Sequence, residues 1–204
     1  ATYTTQHPQI RRPFFANLKT PGGTQITRNF PPRPGDPGDH WDMHPGLSLG
    51  FANLNGVNFW HNRDGSVVHQ KFSELKADKS SARFTVHNLY LDAAGETLCR
   101  EVASFHFATN ADGYLMTYDT RISSDRPLAF GVKEEMGLAL RAATPITVKH
   151  GRGQILSAAG GRNENGTWGE IDQWWDYFGP IGTTSAGAHI MSAPSNRPVW
   201  SHSR

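Results

Sequence analysis

The sequence has one cysteine, almost no net charge and no long apolar run. Because Cys99 has no second cysteine to pair with, an internal disulfide and a CxxC metal site are both excluded. The formal net charge is only +2 and the basic residues are scattered, so we expect no nucleic-acid partner. No stretch approaches the roughly 20 apolar residues that a membrane-spanning helix needs. We therefore expect a soluble protein without a membrane partner.

Turn-forming residues are abundant, with 21 glycines and 13 prolines. Pairs such as Asp112-Gly113 separate short segments with β-branched residues or alternating polarity, which is typical of antiparallel strands and tight turns. The predicted strands are 47–53, 66–72, 82–91, 97–107, 114–122, 128–141, 146–149 and 186–191. Many short strands need a second sheet to bury their apolar faces, so the sequence predicts an all-β protein, a single antiparallel β-sandwich domain over residues 1–204.

Two of these strands share an unusual pattern. The first alternates Leu47, Leu49 and Phe51 with Gly46, Ser48 and Gly50, and the second alternates Met136, Leu138 and Leu140 with Gly137 and Ala139. Each strand thus has one large apolar face and one face of small residues. Glycine within a strand gives up packing, so the small faces predict a trough that another object fills.

Ionisable residues lie at the ends of this trough, among them His44, Glu135 and Arg141. An apolar cover would leave these ionisable groups buried without partners, so their presence favours a ligand groove. The alternative is that a loop, a helix or a second chain fills the trough.

The segment 168–177 combines aromatic and acidic residues. If it is extended, one face carries Trp168, Glu170, Asp172, Trp174 and Asp176. Tryptophans interleaved with carboxylates suit sugar recognition, and in principle cation recognition too. The alternative is a tryptophan core with solvated acids at its edge.

Histidines and acids are densest in 39–44, where His40 and His44 precede a strand. They could bind a divalent metal with Asp42 or Glu135, or form a general acid and a ligand clamp without metal. His189 lies among small residues and is a third candidate, so a metal, if present, would use His40, His44 and His189. No cofactor is otherwise expected.

Two loops carry further polar candidates: Asn163 and Glu164 after a Gly-Gly turn, and Asn196 in a proline-framed segment. The sequence lacks a Gly-x-Ser-x-Gly elbow, a phosphate-binding loop and a dinucleotide fingerprint, which argues against serine acyl transfer and nucleotide chemistry.

The chain resembles a bacterial family labelled "methane oxygenase PmoA-like". The resemblance rests on Arg12-Pro-Phe-Phe, the segments 39–47 and 55–60, Lys133-Glu-Glu-Met-Gly-Leu-Ala-Leu-Arg141, Gly161-Arg-Asn-Glu and Pro194-Ser-Asn196. It implies a relative of sugar-binding super-sandwiches such as the mutarotase-like enzymes, from bacteria that degrade polysaccharides. It also implies a further C-terminal strand beyond residue 204 and a site formed by Arg28, His40, His44, Glu135, Arg141, Asn163 and Asn196. Separately, we expect a periplasmic or secreted protein from which a signal peptide was removed, rather than a cytoplasmic one.

Three functional hypotheses follow. The first is a carbohydrate-active hydrolase, lyase or epimerase that acts on a sugar or oxidised glycoside, with His44 and Glu135 as acid and base, His189 as a further catalytic candidate, and Arg28 and Arg141 as clamps. The second is a non-catalytic carbohydrate-binding module that uses Trp168 and Trp174. The third is a His-ligated metal enzyme.

Overall fold

The computed structural model describes residues 1–203 and confirms the all-β fold. Its strands are β1 (Thr2–Thr4), β2 (Phe14–Ala16), β3 (Leu47–Phe51), β4 (Ser66–Ala77), β5 (Ser81–Leu91), β6 (Thr97–Thr109), β7 (Tyr114–Ser123), β8 (Met136–Leu140), β9 (Gln154–Ser157), β10 (Trp174–Ile181) and β11 (Thr184–Met191). The helical elements of this part of the chain are a 3₁₀ helix (Thr144–Ile146) and α1 (Asn163–Thr167). Neither is long and apolar enough to cross a membrane.

The strands form three antiparallel sheets with the orders β1-β2-β3-β8, β4-β5-β6-β7 and β11-β10-β9. The β4–β7 sheet is a meander of long strands joined by tight turns, as the Ala94-Gly95 and Asp112-Gly113 pairs predict. The other two sheets are built from shorter strands, and long loops connect β2 to β3 and β7 to β8.

The apolar core lies between the β1–β2–β3–β8 sheet and the β4–β7 sheet. Phe15 and Leu47 of the first sheet pack with Val86 and Phe105 of the second. A second cluster joins Phe51 to residues of β4, β5 and β6. The large apolar face of β3 therefore points into a two-sheet sandwich, as its alternation predicts.

One carboxyl lies within this sandwich. Glu101 of β6 is 3% exposed and accepts hydrogen bonds from Asn88 Nδ2 at 2.7 Å and Thr120 Oγ1 at 2.9 Å. Burial raises the pKa of Glu101, although both hydrogen bonds act to lower it.

Some predicted elements are wrong. The strand expected over 128–141 is confined to β8, and the strand expected over 146–149 is the end of the 3₁₀ helix and a turn. Residues 168–173 are not part of a strand, so the extended segment expected over 168–177 begins only at Trp174. Strands β1 and β2 are only three residues long and β9 only four, too short for alternation to show.

Candidate functional site

The pairing of β3 with β8 brings the two small-residue faces together. Ser48 lies opposite Ala139 and Gly50 lies opposite Gly137, so these four residues share one face of the sheet. Leu47, Leu49 and Phe51 lie opposite Leu140, Leu138 and Met136 on the other face. The shared small face is therefore confirmed.

This small face is only partly open. A Cβ atom added to Gly50 would lie 2.8 Å from Cε3 of Trp60, and Arg12 Nε donates to Ser48 Oγ at 3.3 Å. Over β3 the trough is thus filled by the chain's own Arg12 and Trp60, and the expectation of an open groove there is wrong. Over β8 a Cβ atom added to Gly137 would meet nothing within 4 Å.

Arg12 is a buried cation at this face, 2% exposed. Its guanidinium donates to the Trp60 carbonyl at 2.7 Å and to the Met43 carbonyl, and it lies 4.9 Å from the Trp60 ring centroid. Burial lowers the pKa of Arg12 to about 10, which leaves it charged at neutral pH. Carbonyl oxygens and the indole ring stabilise this charge in place of water.

His40 and His44 lie next to this cation in a tight turn before β3. The His44 backbone N–H donates to the His40 carbonyl at 2.9 Å, and His40 has a φ of +45°. The two imidazole centroids are 6.4 Å apart, and His44 makes an edge contact with the Trp60 ring at 5.4 Å. The turn thus places both histidines at one end of the small face.

Arg28 and Arg141 reach the same place from neighbouring backbone segments. The Arg28 N–H donates to the Arg141 carbonyl at 3.0 Å. The Arg28 guanidinium donates to the carbonyls of Pro37 at 2.7 Å and Asp39 at 3.1 Å, while Arg141 Nη2 bonds Asp39 Oδ2 at 2.6 Å. Both arginines therefore hold the loop that carries the histidines. We call Arg12, Arg28, Asp39, His40, His44 and Arg141 the His44 site.

The charges around His44 are positive. Burial, followed by the charges of Arg141, Arg12, His40 and Arg28 in that order, lowers the pKa of His44 to about 4. His44 is therefore a neutral imidazole at physiological pH, held among guanidinium groups. Such a site suits a ligand with a negative or electron-rich oxygen, which those cations would attract.

Glu135 does not join the His44 site. Because β3 and β8 are antiparallel, the end of β8 at Arg141 lies beside Gly46, whereas the Glu135 carbonyl accepts from Ala52 N–H at the far end of β3. Six residues of extended chain, about 20 Å, separate Glu135 from Arg141. The structure therefore does not bring the expected acid–base pair of His44 and Glu135 together.

A second group of predicted residues meets on the β9–β11 sheet. Asp176 and His189 are register partners, with His189 Nδ1 3.8 Å from Asp176 Oδ1. The Trp174 and His189 ring centroids are 4.9 Å apart. His189 therefore lies with Trp174 and Asp176 and not with the other two histidines.

The remaining predicted residues have local roles. Asn163 Oδ1 accepts the Ile155 N–H at 3.0 Å and so ties α1 to β9, and the Glu164 carbonyl accepts the N–H of Trp168. The Trp168 ring packs on His202 with a centroid distance of 4.0 Å, and Trp168 precedes β10, so it does not share a strand face with Trp174. Asn196 is exposed and donates to Ser192 Oγ at 3.2 Å.

The metal hypothesis finds no ligand set in the part of the chain that the structure describes. Residues 1–203 contain no group of three or more His, Cys, Asp or Glu side chains placed to hold a metal ion. In particular, His40 and His44 are in the turn before β3, whereas His189 is on β11.

Sequence reasoning missed three members or neighbours of the site: Arg12, Asp39 and Trp60. Arg12 and Trp60 are distant in sequence from the histidines, and no local pattern shows that they cover β3. Asp39 adjoins His40, so its place in the densest acid and histidine cluster was a usable signal.

Comparison with known proteins identifies the family alone. Among curated proteins and among solved structures there is no match. A family model described as "Family of unknown function (DUF6807)" matches residues 1–204, the whole chain. The chain therefore belongs to the DUF6807 family.

Proposed function

We propose that this protein is a carbohydrate-active enzyme that acts on an oxidised sugar or glycoside at the His44 site. The observation that carries the proposal is the neutral, partly buried imidazole of His44 among Arg12, Arg28 and Arg141. In this role His44 takes a proton from the substrate. Arg141 and Arg28 attract the keto or carboxylate oxygen.

The geometry favours a lyase or an epimerase over a hydrolase. Most glycoside hydrolases need two carboxyl groups about 5–10 Å apart on either side of the bond that breaks. Here the carboxylate nearest the cations, Asp39, is bound to Arg141, and Glu135 is at the other end of β8. One base beside several cations instead suits removal of a proton from the carbon next to a carbonyl group.

The proposed step conserves atoms and charge. The C–H bond next to the carbonyl breaks and its proton moves to an imidazole nitrogen of His44. The C–H electron pair forms a C=C bond, and the π pair of the carbonyl moves onto oxygen to give an enolate. In an epimerase a water molecule gives a proton to the opposite face of that carbon, and the imidazolium of His44 returns its own proton to the solvent. In a lyase the electron pair expels the group on the neighbouring carbon, and the imidazolium protonates that leaving group.

An imidazole with a pKa of about 4 is a weak base towards water. The arginines that contribute to this low pKa would, however, stabilise the enolate oxygen as negative charge develops on it. The negative charge on the enolate oxygen also offsets the repulsion between the arginines and the imidazolium, so the pKa of His44 rises during the proton transfer. The charges of the site are thus complementary to the transition state of the proton transfer rather than to the unliganded site.

The test is solvent exchange and turnover with three related sugars. Wild-type protein is incubated in deuterated buffer with a keto-glycoside, a glycoside of a uronic acid and the corresponding ordinary glycoside. NMR then follows deuterium incorporation and product formation. We expect reaction of at least one oxidised sugar and none of the ordinary glycoside, because only an oxidised sugar can form the enolate.

Variants assign the reaction to the site. His44→Ala should lower the rate by about 100-fold or more, as expected for loss of a general base. Arg141→Lys should lower it less, since a lysine keeps the charge but not the fork of donors. His106→Ala is the matched control, because His106 is exposed on the outer face of β6. Equal rates for wild type and His44→Ala would contradict the proposal, as would turnover of the ordinary glycoside alone.

A further inference from the structure

The β9–β11 sheet has one face that packs on the core and one that points outward. Trp175 is 6% exposed, and Ala186 and Ala188 pack on the main core cluster, so their side of the sheet is the inner one. Neighbouring residues on a strand point to opposite faces. Trp174 and Asp176 of β10 and His189 of β11 therefore lie on the outer face.

These three side chains form a contiguous group, which we call the Trp174 patch. The indole and imidazole planes are inclined by 34° at a centroid distance of 4.9 Å, and the His189 and Asp176 side chains are 40% and 33% exposed. Burial raises the pKa of Asp176, although His189 acts to lower it. Met191, the register partner of Trp174, extends the patch with an apolar side chain that is 58% exposed.

We infer that the Trp174 patch is a second carbohydrate-binding site, specific for an uncharged sugar. The Trp174 indole is partly exposed and offers a flat apolar surface on which the C–H face of a sugar ring packs. The Asp176 carboxylate accepts hydrogen bonds from sugar hydroxyls. The His189 ring nitrogens can accept or donate, so one ring with vicinal hydroxyl groups can satisfy both side chains.

The charge of the patch selects an uncharged ligand over the anionic one proposed for the His44 site. Strands β9, β10 and β11 contain no lysine or arginine, so they offer an anion no permanently charged partner. A cation is disfavoured because the Asp176 carboxylate already has the His189 imidazole beside it at 3.8 Å. A neutral polyhydroxylated ring needs no charged partner, so neither of these two arguments disfavours it.

The patch and the His44 site share no residue and belong to different sheets. The inference therefore does not rest on the proposed reaction. Binding at the patch would hold an oligosaccharide on the protein surface without chemistry. Loss of either site should leave the other intact.

The test uses the whole chain and three uncharged hexasaccharides: cellohexaose, xylohexaose and maltohexaose. Isothermal titration calorimetry gives Kd, and tryptophan fluorescence follows the same titration. We expect wild type and His44→Ala to bind at least one hexasaccharide with equal Kd. Trp174→Ala should weaken that binding by at least about tenfold, as expected for removal of an aromatic contact residue.

Two further variants distinguish a loss of binding from a loss of the fold. Asp176→Asn, which is nearly isosteric, should weaken binding by about tenfold while the thermal midpoint stays close to that of wild type. Trp200→Ala removes a different tryptophan, which is 45% exposed, and should bind like wild type.

Three outcomes would overturn the inference. The first is that none of the three hexasaccharides binds. The second is that binding survives Trp174→Ala but is lost in His44→Ala, which would place the sugar at the other site. The third is that tetramethylammonium binds the patch and the hexasaccharides do not, which would make it a cation site.

Discussion

The low pKa of His44 makes a quantitative prediction about stability and pH. In the folded protein burial and nearby cations lower this pKa from 6.5 to about 4. In the unfolded chain the pKa returns to its ordinary value. Between these two pH values the unfolded chain binds a proton that the folded protein does not, so the free energy of unfolding falls as the pH falls.

The size of the effect follows from the same two values. Each unit of pKa corresponds to about 1.4 kcal/mol, so the full fall from 6.5 to about 4 is worth about 3 kcal/mol. His44 keeps some exposure to solvent, which screens the cations around it. We therefore expect His44 to account for about 2 kcal/mol of lost stability between about pH 7.5 and about pH 4.5.

Urea unfolding at these two pH values, for wild type and His44→Gln, measures this contribution. Glutamine keeps a polar side chain of similar length but does not titrate. The two proteins share every other titrating group, including Glu101, whose raised pKa acts in the opposite direction. The difference between their pH dependences therefore isolates His44.

The expected result is that His44→Gln loses about 2 kcal/mol less stability than wild type over this pH range. His106→Gln, which changes an exposed histidine of β6, should behave like wild type. Parallel loss of stability in wild type and His44→Gln would refute the assignment of a neutral, charge-surrounded imidazole, and with it the basis of the proposed reaction.

Three other substitutions test the packing around the site and the core. The raised pKa of Glu101 makes the wild type less stable as the pH rises. The stability of Glu101→Gln relative to wild type, measured by urea unfolding, should therefore increase from about pH 4.5 to about pH 8. A stability difference that is independent of pH would contradict this. Arg12→Met leaves the buried Trp60 carbonyl and the partly buried Met43 carbonyl without their donor and should lower the free energy of unfolding by about 3 kcal/mol. A loss below about 1 kcal/mol would show that the guanidinium is dispensable. Gly50→Ala places a methyl group 2.8 Å from the Trp60 ring and should cost about 1–3 kcal/mol in thermal unfolding. Gly113→Ala, whose added methyl group meets nothing within 4 Å, is its control, and equal losses in the two would contradict the close approach.

Much of the fold follows from local patterns in the sequence. A strand exposes alternate residues to opposite faces, so alternation alone placed Leu47, Leu49 and Phe51 on one face and Ser48 and Gly50 on the other. The long strands β4 to β7 and their turns are predicted for the same reason. Strands such as β1 and β9 are too short to show a period, and the sequence indicates β10 only as part of a longer extended segment.

The composition of the site depended on pairing between distant segments. Antiparallel pairing of β3 with β8 sets Arg141 beside Gly46 and Glu135 beside Ala52. The sequence shows that Glu135 and Arg141 flank one strand, but it does not show which end meets His44. The pairing of β10 with β11 likewise placed His189 against Asp176 instead of beside the other histidines.

The sequence by itself determined the all-β class, the faces of the strands and the cluster of ionisable residues at 39–44, because each depends on neighbours within a few positions. Only the tertiary structure decided that Arg12 and Trp60 cover β3, that Arg28, Arg141 and His44 meet, and that Trp174, Asp176 and His189 form a separate group. These contacts join residues that are far apart in the chain. The packing of sheets and loops, rather than any local period, brings them within reach.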